Sequence, residues 1–269
     1  MRTYPSPETP ETALVRLGAA DQPWQPLPGG RSNRLWHVGR FVVKRYDAAA
    51  ASPLFPNDPH AEALALSLFA PLKIAPTLRA AGEDWVIYEH REGSTWPLSA
   101  EPAPIARLLY RLHNAPIPPQ HFRTLPNGSS AILHHARTFG ADCPIPPPPD
   151  PQIPPVPPRP VHADPVLGNI LSTAEGPLLI DWQCPGMGDP AEDLATLLSP
   201  AMMWLYTGQT APSGWDEALL SAYPDHRVAN RTRTLLPVYR WRIMAHCAWK
   251  AARGSADYAK ALQIERDAP

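Results

Sequence analysis

The densest set of chemistry-bearing residues is Val161-His162-Ala163-Asp164-Pro165-Val166-Leu167-Gly168-Asn169-Ile170-Leu171, followed by Pro177-Leu178-Leu179-Ile180-Asp181-Trp182. Residues 169–172 and 178–181 read as two short strands around Ala174-Glu175-Gly176. Positions 169 and 181 are symmetric about 175, so a simple hairpin would set them opposite each other, with Cβ atoms about 5 Å apart. An amide oxygen and a carboxylate at that separation can bind Mg²⁺, which prefers hard oxygen ligands. Asp164 is then left to accept a proton. This is what phosphoryl transfer requires: metal to neutralise a triphosphate and a carboxylate to take the proton of the attacking hydroxyl. Taken singly, a loop Asp, a turn Asn and a strand-end Asp could each merely cap backbone groups.

A second set fits the same chemistry. In Phe41-Val42-Val43-Lys44-Arg45-Tyr46, strand alternation places Val42, Lys44 and Tyr46 on one face. A strand lysine there can reach ATP phosphates while Val42 covers the adenine. The chain holds 24 Lys and Arg, of which only Lys44, Lys73, Lys250 and Lys260 are lysines. A compact ammonium at position 44 is therefore a marked choice in a chain that otherwise uses guanidinium groups. Glu62 lies in the first turn of the following helix, in line with Leu66 and Phe69, and is the natural partner for Lys44. Before the strands, Gly29, Gly30, Ser32 and Asn33 would let backbone N–H groups approach phosphates, although no GxGxxG pattern is present.

The elements that must position these residues can be read in outline. A short helix over 9–18 precedes extended runs that begin at Trp24. Strands over 34–38 and 41–46 flank a tight turn at Gly39-Arg40. Asp58-Pro59 is a strong helix start, an Asp N-cap with proline at the first position, and the helix runs to about Ala70. Strands over 77–81 and 85–89 follow, so the first 90 residues read β-β-β-α-β-β. Beyond 95 the pattern is mainly helical, with helices over 101–113, 129–139, 190–198, 215–223, 228–253 and 257–265. Asp189-Pro190 would cap the 190–198 helix, and Asp193 could reach back to the catalytic loop.

Composition narrows the classes. The 269 residues include 38 prolines and 15 glycines, below the share typical of disordered low-complexity chains, and 44% apolar content is enough for a core. The prolines concentrate at 143–160, which predicts an extended polyproline II connector. A net charge of -1 argues against a nucleic-acid or membrane-surface partner. No apolar run is long enough for a membrane span, and the first residues carry no signal-peptide pattern. Cys143, Cys184 and Cys247 are widely spread, without metal-ligand spacing, and read as free thiols of a cytoplasmic protein. His134-His135 lacks suitably spaced co-ligands and reads as surface or packing histidine.

These residues resemble the aminoglycoside phosphotransferase and choline kinase superfamily of small-molecule kinases. The likeness rests on the 29–33 loop, Val43-Lys44, Glu62, His162-Ala163-Asp164 with Asn169, Ile180-Asp181-Trp182, and Gly188-Asp189-Pro190 with Asp193-Leu194-Ala195. The resemblance implies an α+β, protein-kinase-like two-lobed fold. Residues 1–92 would form a small antiparallel-sheet lobe with one helix, and 93–269 a larger, mainly helical lobe. It further implies ATP and Mg²⁺ as cofactors, Asp164 as catalytic base, Asn169 and Asp181 as metal ligands, and Tyr88-Glu89-His90 as the hinge that meets adenine through its backbone. Two positions depart from the pattern: Pro165 stands where Leu is common and Gln183 where Glu is frequent.

The acceptor would be a small-molecule hydroxyl, bound by the C-terminal helices, with no obligate protein partner. Trp204, Trp241 and Trp249 could line an aromatic pocket for a cationic head group such as choline or thiamine, or simply build the core. Trp241, Ala245 and Trp249 share a helix face by spacing. A polycationic aminoglycoside would ask for more acid than the region after 200 supplies. An aminoglycoside or sugar kinase of the same fold, a catalytically silent nucleotide binder, and a scaffold acting through the proline tract remain the competing classes.

Overall fold

The computed structural model describes residues 8–28 and 31–268. Contacts divide the chain into two compact units: the residues up to Glu92 with Ile180–Cys184, and Gly93–Leu179 with the residues from Pro185 onward. The sequence places all of 93–269 in the second unit. The five residues 180–184 instead pack with the first, because Trp182 stacks on Phe69 with ring centroids 4.7 Å apart. The amide of Asp58 also donates to the Gln183 carbonyl at 3.0 Å.

The first unit is built on a five-stranded antiparallel sheet in the order β1-β2-β3-β5-β4. Its strands are β1 (Trp24–Pro26), β2 (Arg34–Val38), β3 (Phe41–Arg45), β4 (Leu78–Ala81) and β5 (Trp85–Glu89). The β2–β3 turn uses Gly39 at φ +60, where a side chain would be strained. Strand β3 is central, and its alternation separates two environments. Phe41 and Val43 join Ala13 and Leu14 of α1 (Pro10–Arg16) in an apolar cluster with Val38, Trp85 and Ile87. Val42 and Lys44 occupy the opposite face, also buried. Helix α2 (Pro59–Phe69) starts where the sequence demands, with the Asp58 carboxylate accepting from the amides of His60 and Ala61 at 2.9 and 3.1 Å. It buries Glu62, Ala65, Leu66 and Phe69.

The second unit is mainly helical: α3 (Ala103–His113), α4 (Ser129–Arg137), α5 (Ala191–Leu198), α6 (Pro200–Thr207), α7 (Trp215–Ala222), α8 (His226–Ala251) and α9 (Ala256–Asp267). Two three-stranded sheets accompany them. One runs β10-β9-β6, with β6 (Ser94–Thr95), β9 (Ile170–Thr173) and β10 (Gly176–Leu179). The other runs β7-β11-β8, with β7 (Arg123–Thr124), β8 (Arg159–Val161) and β11 (Gly186–Gly188). Helix α6 was not expected from sequence. It is nevertheless well bounded, by the Ser199 side chain accepting from the Met202 amide, Pro200 in its first turn and left-handed Gly208 at its end. Glu265 of α9 completes its N-terminus, accepting from Ser199 Oγ at 2.6 Å and from the Ala201 amide at 2.8 Å.

The hairpin register corrects one expectation. Leu179 pairs with Ile170 and Gly176 with Thr173, one residue away from the symmetry that would set 169 against 181. Asn169 belongs to a 3₁₀ turn, Leu167–Asn169, and Asp181 lies beyond the end of β10. A one-residue slip changes which face every side chain takes.

The proline tract lacks regular secondary structure from Pro144 to Pro158, and Gln152 within it is left-handed at φ +56. Its carbonyls accept from the body of the unit: Ile145 from the Trp241 indole at 2.8 Å, Val156 from Asn127 at 2.7 Å, and Pro154 from Arg231 at 2.8 Å. Among the described residues no helix is long and apolar enough to cross a membrane.

Two predictions follow from buried polar groups of the second unit. Arg242 and Glu192 form an ion pair at 2.9 Å with side chains 2% and 3% exposed. Arg242→Ala leaves the carboxylate uncompensated and should cost about 3–5 kcal/mol, read as a lowered urea midpoint. His246 is fully buried near Lys250 and Arg242, and burial foremost pushes its pKa down to about 3. The unfolded chain then binds the extra proton, so stability falls as pH drops below about 6.5, by roughly 2 kcal/mol at pH 5. His246→Phe should flatten that part of the Tm-versus-pH curve. A smaller slope of the same sign stays with His135, whose pKa burial lowers to about 4.

Candidate active site

In the first unit, Lys44 is the centre of a buried charge cluster. Its ammonium donates to Glu62 Oε2 at 2.6 Å and to Asp181 Oδ1, while the side chains of Lys44, Glu62 and Asp181 are 1%, 0% and 30% exposed. Burial works against an ammonium, but Asp181 and Glu62 outweigh it and hold the Lys44 pKa above the ordinary lysine value. Burial raises the Glu62 carboxyl pKa, against the pull of Lys44. The Tyr46 hydroxyl donates to Glu62 Oε2 as well, and its ring lies 4.9 Å from the Lys44 nitrogen. The face shared by Val42, Lys44 and Tyr46 is thus the one that carries the charged groups. Asp181 has φ +63, an uncommon left-handed backbone for a non-glycine residue.

The other first-unit residues named from sequence lie around this cluster or have other duties. Gly29 and Gly30 fall outside the described residues. Asn33 exchanges side-chain amide bonds with Asn57, both at 2.8 Å, and donates to Gln183 Oε1 at 2.9 Å. Gln183 therefore supplies an acceptor that a carboxylate would also have supplied, and its amide nature leaves that link intact. Ser32 is half-buried in a bend just before Asn33. Tyr88 pairs with Val42 across the sheet and is buried. The amides of Glu89 and His90 donate to the carbonyls of Thr77 and Arg40, both at 2.9 Å. The His90 ring packs on His37 at 4.2 Å.

In the second unit the loop between β8 and β9 holds Asp164 and Asn169. Both donations of the Asn169 amide nitrogen go to Asp164, to its carbonyl at 2.9 Å and to Oδ2 at 3.3 Å. Ala163 is left-handed at φ +66, and Asp193 from the first turn of α5 holds it there. Asp193 Oδ1 accepts from the Ala163 amide at 2.8 Å and Oδ2 from the His162 amide at 2.9 Å. Asp189 accepts from the Ala191 amide at 3.0 Å and from Arg231 at 2.6 Å, a capping and bracing role. The sequence reading missed His113, whose Nε2 lies 3.0 Å from Asp193 Oδ2 and whose Nδ1 lies 2.7 Å from the Tyr223 hydroxyl. A signal existed: His113 continues the buried stripe of Ala106 and Leu109 on α3, where a polar side chain needs a partner.

The three tryptophans are not gathered into one open pocket. Trp241 is 3% exposed, with its indole N–H bound to the Ile145 carbonyl at 2.8 Å, so it is a core residue. The Arg253 guanidinium covers the Trp249 ring at 4.2 Å, and the Lys260 ammonium sits 4.7 Å from the Trp204 ring. Helix α6 does flank the loop between β8 and β9. Tyr206 packs so closely on Gly168 that position 168 has no room for a side chain. Among the described residues no group of three or more His, Cys, Asp or Glu could hold a metal alone.

No curated protein matches the sequence significantly. Solved structures do match along nearly the whole chain. A choline/ethanolamine kinase family protein from Mesorhizobium loti is 18% identical, covering 96% of each chain at a TM-score of 0.62. An ethanolamine kinase of Plasmodium vivax is 13% identical, covering 95% of this chain and 86% of that one at 0.65. The aminoglycoside phosphotransferase APH(2'')-Ib, with ADP bound, is 14% identical, covering 95% of this chain and 98% of that one at 0.62. Identities this low speak for the fold alone, the α+β protein-kinase-like fold shared by these enzymes. The sequence pattern of the phosphotransferase enzyme family matches residues 23–231, most of the chain, and the protein belongs to that family.

Proposed function

We propose that the protein transfers the γ-phosphate of ATP to the hydroxyl of a small molecule, best an amino alcohol or similar singly charged cationic metabolite of the choline or thiamine type. The observation that carries this reading is the Lys44 ammonium, buried at 1% exposure and shared by Glu62 and Asp181. A buried lysine with two carboxylates is costly as mere scaffolding, and it is the arrangement that orients nucleotide phosphates. Glu62, fully buried, keeps the ammonium in place. The half-exposed Asp181 is the partner that phosphate oxygens can relieve.

The donor set suits Mg²⁺. With its nitrogen engaged on Asp164, Asn169 keeps Oδ1 as an oxygen ligand. Asp181 keeps Oδ2, and one ammonium against two carboxylates leaves negative charge at that cluster. Such a metal is held by one or two protein oxygens together with phosphates, so a closed protein cage is not needed. Asn169 and Asp181 would hold it, and bound there it supplies neutralisation of phosphate charge. Asp164 accepts the proton of the attacking hydroxyl, with Asn169 fixing the carboxylate. Ser32 and Asn33 would offer backbone N–H groups to phosphates, together with Gly29 and Gly30, which lie outside the described residues, and Val42 with Tyr88, Glu89 and His90 would border the adenine.

The acceptor class rests on charge. After residue 200 most acids are already engaged: Glu217 with Arg233, Asp225 with Arg159 and Arg227, Glu265 with Arg240, and Asp267 with Arg266. That leaves little negative surface for a polycation, whereas one aromatic ring can meet a single ammonium.

The test is ADP release from Mg-ATP with choline, ethanolamine, thiamine, sugars and aminoglycosides. Turnover should be highest with an amino alcohol, stop with EDTA and return with excess Mg²⁺. Asp164→Asn should lower kcat by about 10²–10⁴-fold with the KM for ATP little changed. Lys44→Met should lower kcat and raise that KM together. Silence with every acceptor, or full activity in Asp164→Asn, would sink the mechanism.

A further inference from the structure

We infer that residues 153–158 of the proline tract form a polyproline II ridge that docks a second protein, one whose groove is lined by aromatic side chains and bordered by acid at one end. The inference is independent of the phosphotransfer reading above and adds a contact to it. The sequence dictates the backbone first. In Ile153-Pro154-Pro155-Val156-Pro157-Pro158-Arg159-Pro160 every residue is proline or precedes one. Proline fixes its own φ at about −65° and pushes the residue before it into the extended region, so the run takes the polyproline II form with three residues per turn. Burial follows that period. Ile153, Val156 and Arg159 are half-buried, and Pro154, Pro155, Pro157 and Pro158 between them are exposed. One residue per turn faces the body and two prolines per turn face solvent. Gln152, left-handed at φ +56, ends the run on its N-terminal side.

The body holds this run as a fixed rail. Ser129 Oγ accepts from the Ile153 amide at 2.9 Å, and Asn127 brackets Val156, accepting from its amide at 3.0 Å and donating to its carbonyl at 2.7 Å. Gly128, at φ +87, lets the strap come this close, since a Cβ there would lie 2.9 Å from the Pro155 nitrogen. These anchors grip backbone atoms, and the outward rings stay exposed. A ligand ordered in advance loses little conformational entropy on binding. A strap that merely connects needs no particular residue on its outer face. Here the outer pairs 154–155 and 157–158 stand one turn apart, the spacing that aromatic-lined grooves read in PxxP segments.

Charge sets the direction of docking. Arg227 is 92% exposed and shares a cleft of about 260 Å³ with Val156, Pro157 and Arg159. Its lining sets Arg159, Arg227 and Arg231 against Asp189 and Asp225, so positive charge is in excess at the C-terminal end of the ridge. A groove with carboxylates at the matching end complements it. A second copy of this chain does not supply such a groove: among the described residues the exposed large apolar side chains are Val15 and Leu72, neither of them aromatic. The occupant that fits is a module of the SH3 type, with aromatic slots for successive proline turns and acid at the groove edge.

The test titrates the full chain into purified, isotope-labelled SH3 domains that carry carboxylates at the groove edge, read by the domains' chemical shifts. Saturable binding should move the signals of the groove aromatics, and amide replacement of the edge carboxylates should weaken it. Pro155→Ala and Pro158→Ala should each raise Kd about tenfold, as loss of a seated ring does, with the circular dichroism of the folded chain retained. Arg227→Glu should weaken binding and flatten its salt dependence. Pro149→Ala, exposed but outside the run, should bind as the parent does. A peptide of residues 150–161 presents every face, including the one with Ile153, Val156 and Arg159 that the fold turns inward. Binding by the peptide alone, and not by the folded chain, would overturn the proposal, because the face being read is then the buried one. Absence of binding to every such domain, or parental affinity in the folded Pro155→Ala/Pro158→Ala double variant, would overturn it equally.

Discussion

An ammonium taken out of water must be met by carboxylates, and the first unit is organised around that requirement at Lys44. The desolvation penalty of a buried ion is several kcal/mol, recovered only when its hydrogen bonds are made with good geometry. The partners come from three separate stretches of chain. Lys44 stands on β3, Glu62 on the first turn of α2, and Asp181 just beyond β10. None of them is satisfied until all three stretches are in place. This explains why residues 180–184 pack with the sheet rather than with the sequence neighbours that precede and follow them. The apolar contact of Trp182 with Phe69 and the amide link of Gln183 to Asn33 hold the segment immediately after Asp181.

The second unit solves a related problem with the charges reversed. There a buried carboxylate, Asp193, is surrounded by donors: two consecutive amides and an imidazole. The two sites share a further feature. Each contains a non-glycine residue in left-handed backbone, Asp181 beside Lys44 and Ala163 beside Asp164. Left-handed geometry disfavours a residue with a Cβ, and in both places a charge-assisted hydrogen bond holds it. Glycine would adopt these angles without strain but would widen the backbone freedom of the loop. An alanine clamped by Asp193 gives one conformation.

How much of this was legible in the sequence depended on whether the information was local. The Lys44 face and the Glu62 stripe follow from periods of 2 and 3.6, and the scarcity of lysine made position 44 conspicuous. Asp58-Pro59 announced α2 to the residue. The β9–β10 register was not legible, because the turn passes through 174–175 rather than centring on Glu175, and a single residue decides the pairing. Helix α6 was overlooked although Ser199-Pro200 and Gly208 bound it, since it follows α5 without a break in the pattern. The tryptophans show a different limit. Spacing places Trp241 and Trp249 on one face of α8 but cannot say what meets that face, and the Ile145 carbonyl that takes the Trp241 indole proton lies 96 residues away. His113 was hidden for the same reason: its partners lie 80 and 110 residues away.

The proline tract is where composition and site meet. Proline lacks a backbone donor, so a proline-rich strap offers mostly carbonyls and must be held by donors from outside. Asn127, Arg231 and Trp241 provide them, and Ser129 accepts from one of the few tract amides, that of Ile153 at 2.9 Å. Fixed φ angles also reduce the unfolded chain's freedom, so the strap loses less entropy on ordering than a glycine-rich one would. It ends in β8, which pairs with β11, and β11 leads through Asp189-Pro190 into α5 and Asp193. Arg231 closes the circuit, since it donates both to the Pro154 carbonyl of the strap and to Asp189 at the start of α5. The strap and the helix that grips the His162–Asp164 turn are thus fixed to each other through Arg231 and the β8–β11 pairing. A flexible connector of the same length would deliver the same residues without holding them in register.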